Sequence, residues 1–280
     1  MVAEADQLLP PPPPIHSATS TVVGGPHGDI PIRVYRPVEG AALLPALVYI
    51  HGGGWTFGEL DGFESLCRTL SIASGCVVVS VEYRLAPEYK FPIPVDDCEA
   101  ALGWVMTQGA QLGIDTERLA LAGDSAGANL AIAAFRRFAS RSAAQSVRAL
   151  VLVYPATEHS TARPSWRDNS TGPMLTTDDI EWLWEQYLCN PSDLHNPEAI
   201  PSIASDLETL PPTFVQTAEY DPLRDGGEYF AQKLVEAGVP TALKRYEGVF
   251  HGFYPMIGLL TRASLAVADS AEFIRRELFK

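Results

Sequence analysis

Runs of apolar residues alternate with helix-like segments along most of this 280-residue chain. Such unbroken runs are typical of strands that are buried on both faces of a sheet. They predict strands at 44–50, 75–83, 118–124, 147–155 and 212–220, and the more polar segment TALKRYE predicts a further strand at 241–247. The segments beside them predict helices at 62–75, 94–108, 125–141, 224–238 and 259–279. Alternating strands and helices predict an α/β fold with a mostly parallel central sheet and helices on both faces.

The N-terminal part of the chain departs from this alternation. Pro10–Pro14 form a run of five prolines, which excludes helix and central strand and favours an extended polyproline II conformation. Two short β-like runs at 20–23 and 30–37 surround the turn sequence GGPHGD and predict an antiparallel edge. We therefore expect a Pro-rich segment at 1–18, acting as a stiff tether, and an α/β domain at 19–280.

Residues 160–208 interrupt the alternation between two predicted strands. A helix is predicted at 177–188, with Thr176 or Thr177 as its N-cap. Long insertions at such a position of an α/β sheet are usually functional, so this segment is interpreted as a small cap over a site.

Composition excludes several classes of protein. With 20 Lys+Arg against 34 Asp+Glu, the net charge of −14 opposes binding to nucleic acid and to anionic membranes. No apolar run reaches the roughly 18–20 residues that span a bilayer, and the first 14 residues lack the basic and apolar regions of a signal peptide. The four cysteines, at 67, 76, 98 and 189, lack metal-binding spacing and are expected to be buried reduced thiols. We expect a cytoplasmic protein.

The sequence GDSAG at 123–127 places a serine between two glycines. A strand precedes it and a helix follows, which is the setting of a nucleophile elbow. A tight turn there would force Ser125 into a strained conformation, and side chains two residues before and after it would clash. The motif itself is short enough to arise by chance, so its strand–turn–helix context carries the prediction that Ser125 is a nucleophile.

A nucleophilic serine needs a base and a group that orients the base. In the Ser–acid–His order of this fold, His251 follows the last predicted strand, and Asp221 follows the strand at 212–220. His159 and His195 flank or lie inside the insertion. Asp225 competes with Asp221 but is expected to support a helix N-terminus, and Glu219 is expected to be structural.

The sequence HGGGW at 51–55 follows the predicted strand at 44–50. Successive glycines let backbone amides turn toward a substrate oxygen, so the N–H groups of Gly53, Gly54 and Ala126 are the predicted oxyanion donors. His51 precedes the serine and is expected to be a scaffold for the loop. Asp124 is expected to be structural.

Together these motifs resemble the hormone-sensitive-lipase-like esterases (family IV) of the α/β-hydrolase fold. The matching segments are HGGGW at 51–55, YRLAPE at 83–88, FPIPVDD at 91–97, GDSAGANLA at 123–131, TAEYDPLRDGGEYFAQKLVEAGVP at 217–240 and HGF at 251–253. GDSAG is similar to the Asp-bearing subgroup. The resemblance implies the triad Ser125–Asp221–His251, the oxyanion hole above, and a structural role for Asp97. Family members often carry N-terminal cap helices that this chain lacks, which implies a reduced cap and either an open pocket or one closed by a partner chain.

The interpretation is a serine carboxylesterase that hydrolyses small, short-acyl esters through an acyl-enzyme, without a metal or organic cofactor. Trp55, Trp182, Trp184 and Tyr187 are candidates for the pocket wall, although packing of the cap explains the helix aromatics equally well. Two alternatives stay open. One is a non-catalytic receptor on the same fold, and the other is an amidase, lactonase or acyltransferase with the same triad. Oligomeric state is left open, with a homodimer as one outcome.

Overall fold

The computed structural model describes residues 10–40, 42–141 and 144–280, so the predicted N-terminal segment lies outside the described residues as far as residue 9. The strands form one eight-stranded sheet in the order β1-β2-β4-β3-β5-β6-β7-β8. They are β1 (Ser17–Gly25), β2 (Gly28–Arg36), β3 (Leu44–Ile50), β4 (Val77–Val81), β5 (Ile114–Asp124), β6 (Val147–Val153), β7 (Thr213–Tyr220) and β8 (Thr241–Phe250).

The sheet is parallel from β4 to β8 and antiparallel at one edge. β2 pairs antiparallel with both β1 and β4, whereas the pairings β4–β3, β3–β5, β5–β6, β6–β7 and β7–β8 are parallel. This confirms the predicted mostly parallel sheet with an antiparallel N-terminal edge. Because parallel strands point the same way, the loops that follow β3, β5, β7 and β8 all emerge at one end of the sheet.

Helices cover both faces of the sheet. They are α1 (Glu64–Ser74), α2 (Ile93–Gln108), α3 (Ala126–Arg141), α4 (Pro164–Asp168), α5 (Thr177–Tyr187), α6 (Arg224–Glu236) and α7 (Thr261–Leu278). Side chains of α1 and α7 pack on one face, and those of α2, α3 and α6 pack on the other. Apolar residues of α5 join the second of these cores, so the inserted segment packs against the body of the protein.

The insertion at 160–208 contains α4, α5 and the 3₁₀ turns Pro191–His195 and Pro201–Ile203, and a third turn, Leu207–Thr209, begins at its end. Thr176 is the N-cap of α5, because its hydroxyl accepts a hydrogen bond from the Asp179 N–H while the Asp179 carboxylate accepts one from the Thr176 N–H. This reciprocal capping box selects Thr176 over Thr177 as the cap. On α3, the Asn129 amide donates to the carbonyls of Ala156 and Ala199 and so ties both ends of the insertion to the body.

Three of the four cysteines are buried as expected, and the fourth is not. Cys67, Cys76 and Cys98 are buried free thiols, but Cys189 is exposed, because it lies just beyond the end of α5 and outside both cores. Across the residues that the structure describes, no group of His, Cys, Asp and Glu has a metal-binding arrangement. Within the same residues, every helix is too short or too polar to cross a bilayer.

Candidate active site

Four loops meet at the carboxyl end of the parallel strands. HGGGW follows β3, Ser125 follows β5, Asp221 follows β7, and His251 follows β8. Ligands of open α/β sheets bind at this edge. The topology therefore gathers residues that are up to 200 positions apart in the chain.

Ser125 occupies a strained turn between β5 and α3. Its φ is +53°, in the left-handed region that side chains other than glycine rarely adopt. A β-carbon on Gly123 would overlap the backbone of Gly127, and one on Gly127 would overlap the carbonyl oxygen of Ile50. Both glycines are therefore required by close backbone approach, and the second brings α3 against the end of β3.

His251 lies between the serine and an aspartate. Its Nε2 is 2.9 Å from Ser125 Oγ, and its Nδ1 is 2.8 Å from Asp221 Oδ2. The other oxygen of Asp221 accepts the N–H of Leu223 at 2.8 Å, which orients the carboxylate. Asp221 is fully buried, whereas Ser125 and His251 retain 9% and 8% exposure. This is the hydrogen-bonded order that nucleophilic catalysis requires.

The competing acids and histidines lie elsewhere. Asp225 sits in the first turn of α6 and accepts the N–H of Ser165 at 2.8 Å, which ties α4 to α6. Glu219 accepts the N–H of Gly248. His159 pairs with Glu181 of α5 at 2.9 Å, and His195 ends a 3₁₀ turn. In the described structure, the hydrogen bonds of Ser125 Oγ and of the His251 ring involve none of these four residues.

The glycine loop after β3 has the backbone that its sequence suggests. Gly53 and Gly54 have φ values of +114° and +57°, and the Gly53 carbonyl accepts the N–H groups of Thr56 and Phe57. Among the described residues, no acceptor takes a hydrogen bond from the N–H groups of Gly53 or Gly54. These amides are therefore free to meet a ligand oxygen.

His51 anchors this loop from below. Its ring is fully buried and stacks on Tyr83, with the ring centroids 4.4 Å apart, while Nδ1–H donates to the Gly52 carbonyl at 2.7 Å. Nε2 is buried and has no hydrogen-bond partner among the described residues. Burial lowers the pKa of His51 to about 4, so the ring is neutral at physiological pH and serves as a scaffold.

Sequence reasoning missed a buried network under Ser125. Asp124 Oδ1 accepts the Tyr49 hydroxyl at 2.6 Å and the Gly52 N–H at 2.9 Å, and Oδ2 accepts the Tyr154 hydroxyl at 3.3 Å. The ring centroids of Tyr154 and His251 also lie 4.5 Å apart. A signal existed in the sequence: Tyr49 lies near the carboxyl end of β3 and Tyr154 directly follows β6, and these two strands flank β5.

Asp97 is also buried, and Arg84 is its partner. It accepts the N–H of Arg84 at 3.0 Å and pairs with its guanidinium at 2.7 Å. This contact joins α2 to the segment that follows β4.

The space above Ser125 is small and apolar. Trp55, Ala156, Leu175, Leu183, Trp184 and Leu223 line a cavity of about 20 Å³. Three of these belong to the insertion, so the inserted segment forms one wall of the pocket. A larger groove near Phe135 and Pro212 lies at the opposite end of the sheet, away from the four loops.

The four candidate aromatic residues take three different positions. Trp55 and Trp184 line the pocket. Tyr187 lies behind Trp55, stacked at 4.3 Å with an interplanar angle of 5°, and does not line the pocket. Trp182 is 51% exposed and lies outside it, because it points away from the buried face of α5, which is formed by Ile180, Leu183, Trp184 and Tyr187.

The chain is similar in sequence and in structure to known esterases. A family model described as the alpha/beta hydrolase fold matches residues 47–255. Ethyl acetate hydrolase of Pseudomonas putida is 36% identical over 251 residues, covering 89% of this chain and 79% of the relative. A thermostable carboxylesterase cloned from a metagenomic library has a structure with a TM-score of 0.93 at 39% identity, covering 99% of this chain and 95% of that one. An esterase of Pyrobaculum calidifontis gives a TM-score of 0.89 at 43% identity, covering 94% and 84%.

The fold and these matches define the class: the protein is a carboxylic ester hydrolase of the α/β-hydrolase fold. Within that class, the chain belongs to the hormone-sensitive-lipase-like family of esterases.

Proposed function

We propose that the protein is a serine esterase in which Ser125 is the nucleophile, His251 the general base and Asp221 the group that orients His251. The observation that carries the proposal is the pair of distances from His251 to Ser125 Oγ, 2.9 Å, and to Asp221 Oδ2, 2.8 Å. With Nδ1–H donating to Asp221, Nε2 is left to accept the serine proton as Oγ attacks the ester carbonyl. His251 then gives that proton to the leaving alcohol, and water repeats the cycle on the acyl-enzyme.

The oxyanion formed in each half-reaction needs donors that are already in place. Gly53 and Gly54 follow β3, and their N–H groups have no acceptor within the part of the chain that the structure describes. The N–H of Ala126 belongs to the first residue of α3, which has no intrahelical acceptor. We assign these three amides to the oxyanion hole. Removing one donor of such a set typically lowers kcat by about 10²–10³-fold.

Small acyl groups fit the pocket best. Leu175, Leu183 and Trp184 close the space over Ser125, and a cavity of only about 20 Å³ is left beneath them. The insertion at 160–208 is therefore proposed to be a cap that limits acyl length. The Pseudomonas putida relative is named for ethyl acetate, a two-carbon acyl ester, which supports the same substrate class.

Single substitutions test the triad. Ser125→Ala, His251→Gln and Asp221→Asn should each lower kcat on p-nitrophenyl acetate by about 10⁴-fold or more. Asp225→Asn is the matched control, because this carboxylate lies one helical turn from Asp221 and bonds Ser165 instead of His251. Wild-type activity in the Ser125→Ala protein would refute the assignment.

An acyl series tests the substrate class and the alternatives together. We expect kcat/KM on p-nitrophenyl esters to be highest for acetate to butyrate and to fall for longer chains. A burst of p-nitrophenol equal to the enzyme concentration would demonstrate the acyl-enzyme and exclude a receptor. Faster turnover of p-nitroacetanilide than of the matching ester would favour the amidase alternative over the esterase.

A further inference from the structure

Asp124 is a buried carboxylate for which the triad has no use. Its residue is 4% exposed, and within the described parts of the chain no lysine or arginine lies within ion-pair distance of it. Three donors surround it instead: the Gly52 N–H, the Tyr49 hydroxyl and the Tyr154 hydroxyl. Burying a carboxylate without a cation is costly, and these three hydrogen bonds offset part of that cost.

The three contacts join two catalytic loops. Asp124 immediately precedes Ser125, and Gly52 immediately precedes Gly53 of the glycine loop. The Gly52 N–H lies 2.9 Å from Asp124 Oδ1, and a β-carbon on Gly52 would overlap the Asp124 carboxylate. The first residue of the glycine loop is therefore held directly against Asp124, the residue that precedes the nucleophile.

We propose that Asp124 is a positioning residue that sets the place of the Gly53 and Gly54 amides relative to Ser125 Oγ, by accepting the Gly52 N–H. The proposal rests on the triad and oxyanion roles proposed above. Tyr49 holds the accepting oxygen in place at 2.6 Å, so that it faces the loop. In this view the hydrogen-bond acceptor is essential and the negative charge is not.

A charge-based role is the competing explanation. Tyr154 contacts both Asp124 and the ring of His251. In this buried, low-dielectric region, a negative charge at Asp124 would attract the positive charge of a protonated His251. Asparagine separates the two explanations, because its amide oxygen keeps the acceptor for Gly52 and Tyr49 while the charge is lost.

The experiment compares Asp124→Asn with Asp124→Ala. We expect Asp124→Asn to keep kcat within about threefold, and Asp124→Ala to lose about 10²–10³-fold in kcat, as when an oxyanion donor is removed. KM for p-nitrophenyl acetate should change little, because the oxyanion exists only in the transition state. A trifluoromethyl ketone, which forms a hemiketal oxyanion with serine, should bind Asp124→Ala more weakly by the factor lost in kcat/KM.

Asp97→Ala controls for the loss of any buried carboxylate. It should lower the thermal midpoint while leaving the ratio of the ketone Ki to KM as in wild type, because Asp97 bonds Arg84 and not the glycine loop. All assays are run below the thermal midpoint of the variant in question.

The proposal is overturned if Asp124→Asn loses as much kcat as Asp124→Ala, because charge would then be the essential property. It is also overturned if folded Asp124→Ala keeps both kcat and ketone affinity within about threefold of wild type. If Asp124→Ala does not fold, Asp124→Asn still decides: wild-type ketone affinity supports the proposal, and a loss of about 10²-fold overturns it. Neither result touches the proposed function, which stands or falls with Ser125→Ala.

Discussion

Acid should destabilise this protein through His51. The ring is buried against Tyr83, and Nε2 has no hydrogen-bond partner among the described residues. Protonation would place an unpaired positive charge in an apolar site beneath the glycine loop. Burial accordingly lowers the pKa of His51 from 6.5 to about 4.

The sign of the effect follows from proton linkage. Because the folded pKa lies below the unfolded value, the unfolded chain binds more protons, so stability is fully present above about pH 6.5 and is lost as the pH falls toward about 4. The full shift corresponds to about 3 kcal/mol, since one pKa unit is about 1.4 kcal/mol. Between about pH 7.5 and about pH 5, the part lost is about 2 kcal/mol.

Urea denaturation at those two pH values measures the effect. The free energy of unfolding of wild type should fall by about 2 kcal/mol more than that of His51→Gln, which has no imidazole at this position. His16→Gln removes an exposed imidazole and is the matched control, which should keep the wild-type difference. Equal pH dependence in wild type and His51→Gln would refute the reasoning that the neutral ring is required.

Three further predictions concern packing around the site. Trp184 separates the pocket over Ser125 from a groove lined by Leu188 and Leu194, so Trp184→Ala should raise the ratio of hexanoate to acetate kcat/KM by about tenfold, measured on p-nitrophenyl esters. Gly127→Ala should cost more than about 3 kcal/mol in urea denaturation, or prevent folding, because its β-carbon overlaps backbone carbonyls that cannot move cheaply; a loss below about 1 kcal/mol would contradict this. Thr176→Ala should cost about 1 kcal/mol through loss of the α5 capping box, with Thr177→Ala as the weaker control.

The strands could be predicted because each buried strand leaves a continuous apolar run in the sequence. β3 was predicted at 44–50 and ends there, since His51 and three glycines interrupt the run. β5 begins four residues earlier than predicted because Leu44 pairs with Ile114 before the ladder shifts register. β8 continues to Phe250 because this residue pairs with Tyr220 after a second irregularity. Strand ends of this kind depend on a neighbour that the local sequence does not identify.

The candidate triad was predictable for a different reason. Ser125 and Asp221 stand directly after predicted strands and His251 is separated from one by three residues, and parallel strands bring such positions to one edge. The contacts of Asp124 were harder to predict, because Tyr49 and Tyr154 lie in or beside apolar runs and are indistinguishable there from ordinary core residues. Their partners come from strands that are adjacent in the sheet but distant in the chain. The exposure of Trp182 and Cys189 likewise depends on how α5 is rotated and where it ends.

The glycine loop is held from two sides, and this couples substrate size to catalysis. From below, Asp124 accepts the Gly52 N–H. From above, α5 packs on the loop: a β-carbon on Gly54 would overlap the Leu183 side chain, and Tyr187 stacks on Trp55. The same helix supplies Trp184 and Leu183 to the pocket wall. Truncating its buried side chains to widen the pocket therefore also weakens the contact between Leu183 and Gly54.

We therefore expect substitutions on the buried face of α5 that admit longer acyl groups to lower kcat on acetate as well. Leu183→Ala should lower kcat on p-nitrophenyl acetate by about tenfold, because the oxyanion amides lose their packing support. Trp182→Ala, on the exposed face of the same helix, is the matched control and should leave kcat unchanged. A Leu183→Ala enzyme with wild-type kcat on acetate and a broadened acyl range would show that the wall and the oxyanion loop are independent, and the coupling argued from the Gly54 contact would be wrong.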